Sequence, residues 1–154
     1  MAKRKPYQER TDLEKIKSQW RKLSGLHSRE EWSAAVVRAA TAVEIAANLV
    51  IRKELQSRSD LDETFVNHLL KWANGIVGKM DRLLLPLFVG RKQHSLLKKQ
   101  TKVVEVINEK RNAIVHRGEF CNETEAREVI GNAKTFVESL VRIHEPNFKL
   151  KEKS

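Results

Sequence analysis

The side chains best equipped for chemistry lie in one short run, Glu109-Lys110-Arg111-Asn112-Ala113-Ile114-Val115-His116-Arg117-Gly118. Histidine gives or takes a proton near neutral pH. Arginine carries a permanent, forked charge that suits a phosphate or the charge that develops on it. With Arg111 and His116 on one phosphodiester, and Asn112 orienting the imidazole or a 2′-hydroxyl, that hydroxyl could attack its own phosphate without a metal. The spacing sets a geometric condition. At about 100° per residue, Asn112 and His116 share one helix face, one turn apart, whereas Arg111 and His116 are separated by about 140°. In a straight helix the latter two are not close neighbours, unless the long arginine side chain or fraying near Gly118 turns both into one cleft. A second reading stays open: a histidine near a helix C-terminus also serves as a cap, and surface Arg and Asn are often only solvated.

Other candidates are weaker. Arg117 adjoins the run and either binds phosphate or points into water. Glu44 and Asn48 are one turn apart and interrupt an alanine-rich surface; they either add polarity to a cleft or face solvent, the second being preferred. His27, His68, His94 and His144 show no ligand spacing, so no metal or other cofactor is assigned. Cys121 reads as an idle or buried thiol. Trp20, Trp32 and Trp72 fall on helix stripes and read as core rather than as base-stacking platforms. No phosphate-binding glycine loop, zinc-peptidase motif or nucleophile elbow is present in the sequence.

The elements that must carry these residues are helices. Thr11 and Glu14 have capping-box spacing, followed by the stripe Leu13, Ile16, Trp20, Leu23 and a stop at Ser24-Gly25. Ser28 and Glu31 give a second box, opening the longest helix, with Trp32, Val36, Ala39, Val43, Ala46 and Val50 on one face. Ser59 or Asp60 caps a third helix with Phe65, Leu69 and Trp72 inward, broken at Asn74-Gly75. A short helix and turn over Val77 to Phe88 are stopped by Pro86. Ser95 to His116 forms a long helix with Leu96, Val103, Val104, Ile107, Ile114 and Val115 inward, ending at Gly118. Asn122 and Glu125 cap the last helix, which runs to about His144 before Pro146. The fold class is therefore all-α, an antiparallel bundle of about five helices. It forms one domain over 11–146, between basic flexible tails at 1–10 and 147–154.

The totals agree. Six Gly and three Pro in 154 residues fit long helices and argue against a β sandwich or barrel. A single cysteine allows no internal disulfide and points to a reducing cytoplasm. No apolar run approaches the ~18–20 residues of a membrane span, and Met1 to Arg10 is basic with no apolar segment behind it, unlike a secretory signal. The net charge of +10 fits a polyanionic partner, RNA or DNA, and equally a merely basic protein with no such partner.

The run Arg111-Asn112-Ala113-Ile114-Val115-His116 resembles the R-x4–6-H motif of the HEPN superfamily, in the form where a polar residue follows the arginine. It lies late in a long helix and before a final amphipathic one, as in that family. The upstream helix Ala39 to Ala47 and the following Arg52-Lys53-Glu54-Leu55 resemble the family's early core helix, so the resemblance spans about Glu30 to His144. It implies a helical bundle that dimerises, with two motifs meeting in a composite cleft. It implies a metal-independent endoribonuclease on single-stranded RNA in a toxin–antitoxin or phage-defence setting, with Arg111 and His116 catalytic and Asn112 supporting. An antitoxin or nucleotidyltransferase partner would belong to such a setting. Arginine from one subunit could then serve histidine from the other, which would answer the angular separation. The competing readings are an inactive HEPN-like module that binds a nucleotide, RNA or a protein, and a helical adaptor or transcription-associated regulator in which the motif is a chance match.

Overall fold

The alanine-rich run after Trp32 forms the central helix of the molecule. The structure, a computed structural model, describes residues 3–151 and is an all-helical bundle over that range. A single 3₁₀ turn, Tyr7–Glu9, precedes α1 (Asp12–Ser28), α2 (Trp32–Arg58) and α3 (Glu63–Trp72). Then come α4 (Gly75–Lys79), a π turn (Met80–Leu84), α5 (Leu85–Leu87), α6 (Gln93–Arg117) and α7 (Glu123–Val141). Ala35, Ala39, Ala42, Ala46 and Ala47 of α2 are fully buried. Their small side chains let α1 and α7 approach closely, and α6 and α4 also lean on this helix.

Local chemistry explains most boundaries. At the start of α1 the Thr11 side chain accepts from the Glu14 amide while the Glu14 carboxylate accepts from the Thr11 amide. Asn122 and Glu125 make the same reciprocal pair at α7. Gly118 ends α6 at φ +66°, the left-handed conformation for which glycine is suited.

Other boundaries differ from the sequence reading. α1 does not stop at Ser24-Gly25 but continues to Ser28, and the reversal falls at Glu30, with φ +62°. A lone helical glycine costs only about 1 kcal/mol, and the partly buried Leu26 beyond it keeps the helix on the core. The Ser28–Glu31 box does not form: the Ser28 hydroxyl donates to the Gly25 carbonyl instead, and α2 starts without a side-chain cap. Asp62, not Ser59 or Asp60, caps α3. That helix buries Val66 and Leu70, leaving Phe65 and Trp72 exposed with Arg82 over the indole. Leu96 and Val115 of α6 are likewise exposed, and Leu97, Val104, Ile107 and Ala113 face inward.

Pro86 does not terminate the fourth helical segment. A proline removes one amide donor and crowds the preceding turn; the π turn just before it widens the helix and lets the chain remain helical to Leu87. Past α7, the chain winds tightly through His144. The segment after Pro146 is then docked rather than loose: Phe148 and Leu150 are buried, Arg142 donates to the Phe148 carbonyl, and the Leu150 amide reaches the Glu138 carboxylate. At the other end, the Tyr7 hydroxyl accepts from Gln19, and Arg10 bonds Ser18 and the Lys5 carbonyl. The remainder of the two sequence-predicted tails, 1–2 and 152–154, lies outside the described residues. α2 is also long and apolar enough to cross a membrane, contrary to the expectation that no run approaches this. Alanine and valine with few charges give it that character, and in the bundle it is the core helix.

Candidate functional site at the end of α6

Two features fix the last turns of α6. Lys110 forms an ion pair with Glu125, tying the helix to the start of α7. At Gly118 the chain folds back, so that the amides of Gly118 and Glu119 both donate to the Ala113 carbonyl. His116 therefore sits in a well-defined final turn and not in a frayed end.

On that turn the Arg111 guanidinium reaches along the helix to the imidazole. Its Nη1 lies 3.3 Å from Nε2 of His116 and also donates to Oδ1 of Asn112 at 3.1 Å. The about 140° separation is thus bridged within one chain by the length of the arginine side chain, and no second subunit is required for the two groups to meet. Guanidinium has donors only, so a hydrogen bond across this contact requires Nε2 to be the ring nitrogen that carries no proton. Asn112 holds the arginine, not the imidazole. Among the described residues Arg111 makes no hydrogen bond through Nε or Nη2. That edge is the fork arginine offers to a phosphate.

Behind Arg111 is a cavity of about 290 Å³, where α2, α6 and the turn into α4 meet. Its polar lining is Thr41, Glu44, Asn74, Asn108, Arg111 and Asn112. Glu44 shares this cavity with the motif while its side chain stays 41% exposed, so it both meets solvent and adds polarity to the cleft. Its Oε1 accepts from Lys79 Nζ at 2.7 Å, the lysine being almost wholly buried. Asn48 does not line this cavity; its Oδ1 is buried without a hydrogen-bond partner among the described residues. Arg117 turns the other way. It pairs with Glu109 at 2.8 Å and Glu119 at 3.6 Å, in a groove between α6 and α7. The hydrogen bond it donates to Glu109 is the main reason its proton is held more tightly than in a free arginine.

Lys79, Asn108, Asn74 and Thr41 were not singled out from the sequence. Asn108 carried a usable signal, lying one turn before Asn112 on the same face. Thr41 also carried one, lying three residues before Glu44 on α2; Lys79 and Asn74 carried none, because the packing of α4 against α2 and α6 brings them there. Cys121 is buried under Ser33, whose hydroxyl accepts from the Cys121 amide at 3.0 Å. Trp20 is core, as expected; Trp32 is partly buried, with His27 edge-on to its ring. Among the described residues no group of three or more His, Cys, Asp and Glu side chains converges as metal ligands would.

Comparison with protein-family models, with curated proteins and with solved structures gives no match.

Proposed function

We propose that this chain is a metal-independent endoribonuclease of the HEPN type, acting on single-stranded RNA as a homodimer. The observation that carries this reading is the 3.3 Å contact between Arg111 Nη1 and His116 Nε2, beside a guanidinium edge that has no other partner among the described residues. A phosphate on that edge draws the guanidinium towards itself and releases Nε2, which is in the accepting state a general base needs. The 2′-oxygen then attacks the adjacent phosphorus, its proton passes to Nε2, and the P–O5′ bond breaks. The products are a 2′,3′-cyclic phosphate and a 5′-hydroxyl, the departing oxygen taking its proton from solvent or from the second protomer's imidazole. Arg111 stabilises the charge that builds on the phosphoryl oxygens. The net charge of +10 supplies the general attraction to the polyanion.

The test is cleavage of a fluorescent single-stranded RNA in the presence of a chelator. His116→Ala should lower the rate by about 10²–10⁴-fold with an unchanged melting curve. Equal cleavage by purified wild type and His116→Ala ends this reading.

A further inference from the structure

We infer that the cavity behind Arg111 is a subsite for one nucleobase of the bound RNA, and that it selects bases with an amine at the position of adenine N6 or cytosine N4. The inference rests on the nuclease reading for the polymer, but its evidence lies in the cavity itself. Arg111 belongs to both places: it lines the cavity and it touches His116. A phosphate held by Arg111 therefore lies beside a residue that also lines the cavity.

The cavity's size and lining suit a base. About 290 Å³ is at the small end of ligand pockets, room for one heterocycle and not for a stretch of chain. Ile76 and Ile107 offer apolar walls to a ring face, while Asn74 and Asn108 offer carboxamides, each both donor and acceptor. A bare phosphate fits poorly, because Glu44 places a carboxylate in the same lining. That carboxylate sets the selectivity. Lys79 occupies Oε1, and Oε2 has no hydrogen-bond partner among the described residues. Oε2 is a pure acceptor and pairs with an amino group. Carboxylates take the N4 amine of cytosine, and carboxamides read the N6 and N7 of adenine. Uracil presents a carbonyl oxygen at the equivalent position and meets repulsion there. Guanine presents O6 there as uracil presents O4, so adenine and cytosine are favoured over both.

The experiment uses the full chain and four homopolymeric 2′-O-methyl tetranucleotides, which have no free 2′-hydroxyl and cannot be cut. Binding is read by fluorescence anisotropy at physiological salt. The expected result is that the A and C oligomers bind roughly tenfold more tightly than G and U, and that this preference shrinks in Glu44→Gln and in Asn108→Ala. Two variants are used because Glu44→Gln also disturbs Lys79; a melting curve for each confirms folding. Equal affinity for all four oligomers, no binding to any, or a preference untouched by both variants overturns the subsite. Base selectivity that persists in a chain unable to cut natural RNA overturns the nuclease reading and leaves the subsite standing.

Discussion

Nη1 of Arg111 donates simultaneously to Oδ1 of Asn112 and towards Nε2 of His116, at 3.1 and 3.3 Å. One nitrogen thus makes both contacts, and Nε and Nη2 have no hydrogen-bond partner among the described residues. Lysine keeps a charge here but loses the fork, since an ammonium is a point charge on a flexible stem. Arg111→Lys is therefore expected to lower cleavage by about 10²-fold while binding to RNA at low salt stays within a few-fold. Asn112→Ala, which frees the guanidinium without removing it, should cost less than Arg111→Lys. Single-turnover rates and anisotropy on the same RNA check both; parallel losses of binding and rate in Arg111→Lys would contradict a transition-state role.

The final turn of α6 depends on Gly118. Its φ of +66° is costly for any side chain, although a Cβ there would meet nothing within 4 Å. The penalty for Gly118→Ala is thus conformational, about 1–2 kcal/mol, or a fall in melting temperature of about 4 °C for a chain of this size. Because the same turn positions His116, activity should fall with it. Gly118→Asn, which tolerates the left-handed region better, should lose less of both. Calorimetry paired with the cleavage assay measures this, and an Ala variant as stable as wild type would contradict the assigned role of the turn.

The sequence made legible much of what depends on near neighbours, although the Ser28–Glu31 box and the Ser24-Gly25 stop do not form. The boxes at Thr11–Glu14 and Asn122–Glu125, the stop at Gly118 and the alanine face of α2 all follow from interactions within four residues. Phe65 and Trp72 were misplaced because a stripe of large apolar residues and a stripe one position on, through Val66 and Leu70, fit the same period; only packing against neighbouring elements selects between them. The motif residues could be named from their types, but their contact depends on side-chain reach, which a helical wheel does not contain. The Lys79–Glu44 ion pair and the cavity to which Asn74 contributes are tertiary, and no spacing along the chain encodes them.

The reciprocal cap at α1 gives a pH dependence of known sign. The Thr11 backbone amide, and then its hydroxyl, hold the Glu14 carboxyl below its ordinary value of 4.5. A carboxylate whose folded value is depressed stabilises the fold above its unfolded value, and that contribution disappears as pH falls through the folded one. Relative to Glu14→Gln, the wild-type chain should therefore be more stable at neutral pH and lose this advantage progressively below pH 4.5. Melting temperatures of the two proteins across the acid range give the comparison. A constant difference between them down to the strongest acid would show that the carboxylate is not involved.

A second carboxylate, Glu54, has the opposite environment: its side chain is 4% exposed near the C-terminal end of α2. Its Oε2 accepts from Arg58 at 2.9 Å and from Arg91 at 2.7 Å, and Oε1 lies 3.1 Å from Nε2 of His144. Arg58 also donates to the Leu87 carbonyl, and Arg91 lies over the Phe88 ring. This one side chain therefore joins α2 to the connector before α6 and to the turn after α7. Removing it leaves two arginines facing each other. A fully buried pair broken in this way costs about 3–5 kcal/mol, but Arg58 and Arg91 are 41% and 38% exposed and can recover water. The expectation for Glu54→Ala is about 2–3 kcal/mol. Glu54→Gln should recover part of this, because the carboxamide oxygen can still accept one guanidinium. Urea unfolding at neutral pH distinguishes the cases. Wild-type stability in Glu54→Ala would mean that the junction is held by apolar contacts through Phe88 and Leu84 alone.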